Sequence, residues 1–584
     1  MARLDPHSYY DSEQPRVERL SLIARIDFDR RILDGTATLH FAPGAHGGTI
    51  DLDTRDLTIL KVTAGDAAIA HQLSEKDPIL GTRLRVQAPA SANSITIEYR
   101  TSPESTALQW LTAEQTFGGE HPFLFSQCQA IHARSVVPLQ DTPRARLRYD
   151  ATITVPAHLK VLMAAAQLGE EMRGSEKISR FEMNQPIPPY LLAFAVGDLV
   201  SRELGPRSRV WAEPKVADKA AWEFADVDTM LTIGEKLFGE YPWERFDVLV
   251  MPRSFPYGGM ENPRLTFVTP TLLAGDRSLT NVIAHELAHS WTGNLITNAD
   301  AEHFWLNEGW TVFAERRILE ALSPPHGGKE ASAIDAALGR RTLERAVTGQ
   351  FKDHPELTCL RTHLTGVDPD EAFSEVPYEK GYLFLRTIEE AVGRTRFDAL
   401  IHAYVDRFRF GTITTEEFCA FMERELPGVL MQIHSARFLD QPGIPDNAPR
   451  AESSRIDAVE STVGKLPGAT ASGWTPAEWQ LYLEQSVDRA TPELCRALDE
   501  KYALTQSGNY EILVSWLELA LRAGHAPAVA RTEEVLAQVG RMKYLKPLYQ
   551  ALHVRSPERA RALFARLRGG YHPIAQVVLE KALA

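Results

Sequence analysis

The stretch Leu279-Thr280-Asn281-Val282-Ile283-Ala284-His285-Glu286-Leu287-Ala288-His289-Ser290-Trp291 decides how the rest of the chain is read. Its apolar spacing predicts a helix that Ser278 or Thr280 could cap and that Gly293 stops. Residues at i and i+4 share one face of a helix, so the imidazoles of His285 and His289 point the same way and can grip one zinc ion. Glu286 is turned about 100° from His285, within reach of a water on that ion without being a ligand. Chance matches to this five-residue pattern number about 0.03 in a chain of this size and ordinary composition.

Working outward, positions 290–307 separate His289 from Glu308, which opens the run Glu308-Gly309-Trp310. A second helix over residues 307–322 would return beside the first and bring Glu308 to the metal. Three protein ligands and one open position define a catalytic zinc site, not a closed structural one. Glu315 lies two turns beyond Glu308 on a similar face, placed either to hydrogen-bond a ligand histidine or to remain a solvated glutamate. Upstream, Gly258-Gly259-Met260-Glu261-Asn262 ends 23 residues before His285. A carboxylate near a metal but off it can hold a substrate ammonium, and the paired glycines let a backbone edge approach the substrate closely. Read alone, the same segment is a surface turn.

These features resemble the M1 zinc aminopeptidases, whose exopeptidase motif the Gly258–Asn262 segment matches. Ser126-Gln127-Cys128-Gln129-Ala130-Ile131-His132, Pro256-Tyr257-Gly258-Gly259-Met260-Glu261-Asn262, Val376-Pro377-Tyr378-Glu379-Lys380-Gly381 and Gly540-Arg541-Met542-Lys543-Tyr544 resemble the leukotriene-A(4) hydrolase branch of that family, essentially from end to end. The resemblance implies that Gln129 and Glu261 bind the substrate amine with Gln127 close by, and that Tyr257, Gly258, Gly259 and Met260 line the cleft. It implies that Glu286 is the general base and that Tyr378 donates a hydrogen bond to the tetrahedral oxyanion. It places Arg541 and Lys543 on the substrate α-carboxylate. Without it, Arg-Met-Lys would read as a solvated helix start and Tyr378 as a structural tyrosine. Asp370 matches a position linked to epoxide hydrolysis, but could equally cap a helix or meet a basic side chain. Phe373 stands where the vertebrate hydrolase has a tyrosine.

Length and composition fit this outline. The chain has 584 residues, 44% hydrophobic and 24% charged, an ordinary globular balance spread over more than one core. A net charge of −14 argues against nucleic acid or an anionic membrane as partner. Cys128, Cys359, Cys419 and Cys495 are too scattered for a disulfide framework or a cysteine metal site. The first residues lack the apolar run of a secretory signal, and no stretch is long enough to span a membrane. The expectation is a cytoplasmic protein with no obligate protein partner.

The organisation is multidomain α+β. Residues 1–204 alternate as short strands, including 36–41, 57–63, 83–86, 94–100, 146–155 and 190–196, and form a saddle-like β-domain. Residues 205–440 form a thermolysin-like catalytic domain, with a helix over 220–238 and a strand over 246–251. A Pro-rich linker spans 441–460. Helices near 475–487, 491–504, 509–523, 527–539, 543–553 and 556–567 build an α-solenoid over 461–584. The function this supports is a zinc aminopeptidase with one Zn2+ per chain, acting on short peptides, most simply tripeptides. Epoxide hydrolysis of a lipid is the alternative; a thermolysin-like endopeptidase and a non-catalytic helical scaffold are the other readings.

Overall fold

The computed structural model describes residues 3–322 and 328–584. Its largest sheet runs edge to edge through Ala166–Arg173, Glu176–Ile187, Leu147–Pro156, Val17–Asp27, Ile32–Phe41, Ser94–Arg100, Thr58–Ala64 and Ala67–Ala68. Val17–Asp27 sits inside it, antiparallel to Ile32–Phe41 and parallel to Leu147–Pro156. Alternation makes this possible: Leu20, Leu22, Ala24 and Ile26 are buried while the residues between them face outward. A second sheet has four strands, Lys160–Met163, Phe194–Gly197, Phe123–Ser126 and Leu108–Leu111. Its Phe123–Ser126 strand is buried throughout and runs directly into Gln127 and Gln129. The expected strand over 190–196 is shorter. Pro188 and Pro189 begin a 3-10 turn, and pairing starts only at Phe194.

The catalytic region opens with a five-stranded sheet ordered Val200–Gly205, Ser208–Ala212, Asp247–Val250, Leu265–Val268 and Gly259–Met260. The two-residue strand Gly259–Met260 is its edge, antiparallel to Leu265–Val268. Where one helix was expected over 220–238, two form, Pro214–Glu223 and Val227–Phe238, broken at 224–226. The first ligand helix is Thr280–Ala288, shorter than the pattern predicts. Its N-cap is Leu279, with no side-chain cap; Ser278 instead hydrogen-bonds Asp276, and the Thr280 side chain lies outside the described residues. The second ligand helix is Trp305–Ala321, two residues earlier than expected. It is buried on nearly every side, with Asn307, Glu308, Glu315 and Arg316 among its buried residues. Gly309 and Gly381 meet backbone to backbone there, and a Cβ on Gly309 would stand 2.7 Å from the Gly381 Cα.

The C-terminal helices are Pro476–Ser486, Pro492–Tyr502, Tyr510–Arg522, Pro527–Gln538, Met542–Arg555, Pro557–Leu567 and Pro573–Leu583. The last lies beyond the segments singled out in sequence, within the stretch expected to be helical to its end. Five of the seven begin with proline at the first turn, where its missing N–H costs nothing. They pack around Tyr482, Trp516, Leu517, Leu548 and Tyr549, a core of their own that also takes in Ile334 of the Lys329–Arg345 helix. The β-domain and catalytic region share one continuous core instead. The stretch over 441–460 is not irregular throughout: Ser454–Glu460 form a helix capped by Ser453 and seated in the C-terminal core through Ile456 and Val459.

Candidate active site

Three acceptor atoms converge between the two ligand helices. His285 Nε2 lies 3.2 Å from His289 Nε2, and Glu308 Oε2 lies 3.4 and 3.5 Å from them. Bonds of about 2.05 Å in a tetrahedron hold ligand atoms about 3.3 Å apart, so this triangle has the dimensions of three zinc ligands. Protons are accounted for elsewhere. His285 Nδ1 is 3.0 Å from Glu315 Oε2, and His289 Nδ1 is 3.1 Å from the Thr292 carbonyl. Both oxygens are acceptors, so each Nδ1 carries the hydrogen and each Nε2 presents a bare lone pair. Glu308 Oε2 is buried without a hydrogen-bond donor among the described residues. Three lone pairs facing one another demand a cation, and Glu315 takes the supporting position on His285 that its spacing allowed.

The two glycines before Met260 each face a charged side chain. A methyl on Gly259 would run into the Glu286 carboxylate, and one on Gly258 would stand 2.7 Å from Arg541 Nη2. The edge strand therefore lies flush on both groups. Glu286 is 5% exposed, and its Oε2 also lacks a donor. Burial, reinforced by Glu308 and Glu315 against the pull of His285, pushes its carboxyl up to about 8. Glu261 is buried beside it, and burial together with Glu308 and Glu286 drives it well above the usual carboxylate range. Glu261, Glu286 and His289 also present donor atoms within 4.8 Å of one another, but that set would leave the Glu308 oxygen stranded. A divalent ion on the first set and an ammonium near Glu261 would relieve this crowding of carboxylates.

Gln129 Nε2 donates to Glu261 Oε1 at 3.3 Å, whereas Gln127 turns its amide onto the Met260 sulfur at 3.1 Å. Only Gln129 is joined to Glu261; Gln127 supports the strand from behind. Tyr378 packs its ring 6.0 Å from that of His285, nearly parallel. Burial and the nearby Glu308, Glu375 and Glu261 keep its phenol protonated far above neutrality. Beside these groups opens a cleft walled by Tyr257, Phe304, Leu360 and Phe373 with Gln129 and Asp370 among them. Asp370 caps no α-helix; it accepts from His132 at 2.8 Å, and burial is outweighed by His132 and Arg55, which keep it ionised.

At the other end, Arg541 is buried and Lys543 half-exposed. The Arg-Met-Lys segment is docked, not solvated. The Met542 N–H donates to the Pro256 carbonyl at 2.8 Å, and a Cβ on Gly540 would stand 2.5 Å from the Ser254 backbone. Two acidic groups here were not anticipated. Glu511 accepts from Arg541 and Lys543, and Glu375 stands one turn before Tyr378 with Lys543, Glu308, His285 and Arg541 as its charged neighbours. Neither belongs to a recognisable motif, since glutamate in a helix's first turn or in a loop is common.

A His-His-Glu triangle on two helices, with a buried carboxylate just past a sheet edge beside it, fits a zinc metallopeptidase. Residues 222–436 match the peptidase family M1 domain, 6–191 the peptidase M1 N-terminal domain, and 474–583 the leukotriene A4 hydrolase C-terminal domain. The chain is 37% identical to leukotriene A-4 hydrolase of Xenopus laevis over 99% of both chains. It is 36% identical to leucine aminopeptidase 2 of Yarrowia lipolytica, covering 99% of this chain and 93% of that one. The solved structure of yeast LTA4 hydrolase in complex with bestatin superposes with a TM-score of 0.89 at 32% identity, over 100% of this chain and 97% of that one. The chain belongs to the M1 peptidases, in the leukotriene A4 hydrolase branch, and is a zinc aminopeptidase of three domains with one catalytic Zn2+. Among the described residues no helix is long and apolar enough to cross a membrane.

Proposed function

We propose that this aminopeptidase removes N-terminal residues from short peptides, with His285, His289 and Glu308 holding zinc. The observation that carries the proposal is the triangle of bare acceptor atoms with Glu286 and Glu261 on one side of it. Glu261, with Gln129, accepts the substrate ammonium, which fixes the first peptide bond over the ligand triangle. Zinc, when bound, supplies a Lewis acid that polarises the carbonyl and makes a water acidic enough to attack. Glu286 takes the water's proton and delivers it to the leaving amine from a buried position flush against the edge strand. The Tyr378 hydroxyl donates to the oxyanion, and the edge strand Gly258–Met260 runs alongside the substrate backbone. The aromatic cleft receives the first side chain, which favours large apolar residues, with Asp370 on its wall for a polar terminus. Arg541 and Lys543 hold the α-carboxylate, so tripeptides suit the distance best.

The three-domain division belongs to the same proposal: the matched family segments fall within boundaries at 204, 440 and 460, while strand Val200–Gly205 goes with the catalytic region and helix Ser454–Glu460 with the C-terminal core. A cytoplasmic location is supported by four free thiols. Epoxide hydrolysis is the second reading, favoured by Asp370 in an apolar cleft; Phe373, with no hydroxyl, weakens it. One assay separates the readings: zinc-loaded enzyme is given a tripeptide, its N-acetyl form and a lipid epoxide. Cleavage of the free-amine peptide alone is expected. Efficient cleavage of the acetylated peptide would overturn the exopeptidase assignment.

A further inference from the structure

Glu511 sits in the first turn of the Tyr510–Arg522 helix, which Asn509 caps, and it is buried. One of its oxygens, Oε1, receives Arg541 Nη1 at 3.2 Å, Lys543 Nζ at 3.0 Å and the Tyr544 hydroxyl at 2.9 Å. The same Arg541 Nη1 also donates to the Tyr544 oxygen at 2.8 Å, and its guanidinium lies 4.9 Å from the Tyr544 ring centre. One edge of the guanidinium is thus fully engaged. Its other terminal nitrogen, Nη2, has no hydrogen-bond partner among the described residues and lies beside Gly258, on the sheet edge that the substrate backbone would follow. Lys543, half-exposed, keeps further donors free.

We propose that Glu511 is a positioning residue: it clamps Arg541 by Nη1 and Lys543 by Nζ, so that Nη2 and the ammonium are aimed together at a peptide α-carboxylate. The proposal rests on the reading of Arg541 and Lys543 as the carboxylate anchor. A long arginine side chain fixed before the ligand arrives loses little freedom on binding, which is where a clamp contributes affinity.

The test measures kcat/KM of the zinc-loaded full-length enzyme on a tripeptide and on its C-terminal amide, and takes the ratio, in which the fraction of folded enzyme cancels. The wild type should favour the free acid. Glu511→Gln should lower that ratio about tenfold, through KM and not kcat. Glu511→Asp keeps the charge but withdraws it by one methylene, and its ratio should fall between the two. In an Arg541→Ala background Glu511→Gln should cost less than it does in the wild type, because only its hold on Lys543 is then left to lose. A wild-type ratio from Glu511→Asp would mean that charge and not aim matters, and would overturn the proposal. So would a raised ratio from Glu511→Gln, the result expected if Glu511 competes with the substrate, or full additivity with Arg541→Ala. A ratio near one in the wild type itself removes the anchor, and that outcome is visible before any variant is made.

Discussion

The two ends of the cleft are built differently. At the metal end, residues 285–315 carry the three proposed ligands, the proposed general base and the glutamate behind His285, on two helices joined by residues 289–304. At the basic end, Ser254–Gly258, Glu511 and Gly540–Tyr544 come from segments more than 250 positions apart and from two different hydrophobic cores. Chemistry that a helix can present by periodicity is written locally. Recognition of the far end of a peptide needs a wall at a fixed distance, and here a separate domain supplies it.

The sharpest way to test this contrast is at the metal end. Glu286→Gln should retain zinc and lose about 10³- to 10⁴-fold in kcat, whereas His285→Ala or Glu308→Ala should lose the metal itself. Metal analysis beside kinetics separates the two, and near wild-type turnover by Glu286→Gln would remove the general-base role. Next comes the edge strand. Gly259→Ala pushes a methyl into the Glu286 carboxylate and should cost about 10²-fold in kcat with Zn2+ still bound. An unaffected kcat would show that the strand does not set the position of Glu286.

Glu261→Ala should lower kcat/KM about a hundredfold on free-amine peptides, because it removes a charge-assisted hydrogen bond to the ammonium from a buried site. If the residue served only packing, peptides with and without a free amine would suffer alike. Arg541→Ala should cost a tripeptide about ten- to fiftyfold, its amide less and an aminoacyl anilide least. Equal losses on the three would make Arg541 a packing residue and erase the difference between the two ends.

The smallest effect is on stability. Burial alone would raise Glu511, but Lys543 and Arg541, with the Tyr544 hydroxyl, bring it down to about 2. A carboxyl lowered in the folded state stabilises above its unfolded value, about 4.3, and that stability is lost as pH falls toward 2. The difference in Tm between wild type and Glu511→Gln should therefore be constant near neutrality and shrink below about pH 4.5. A difference that grows with acid would contradict the ion-pair account.

The sequence by itself singled out His285, His289 and Glu308 as the zinc ligands we propose, because helical periodicity leaves two histidines one turn apart little choice of neighbours. Proline at the first turn and Ser, Thr or Asn caps likewise placed most C-terminal helices to within a few residues. Helices and strands without such punctuation were misjudged, as the break at 224–226 and the helix at 454–460 show. Within the site, Gln127 and Gln129 are equivalent in sequence, and only the fold turns one to Glu261 and the other to Met260. The need for glycine at 258 and 259 follows from Arg541 and Glu286 pressing on the same strand, and the aim of Arg541 follows from Glu511, thirty residues before it. Periodicity fixes which side chains share a face of one element. Which elements then face each other is settled by packing between them, and that is why the ligands could be read from the chain while the carboxylate clamp could not.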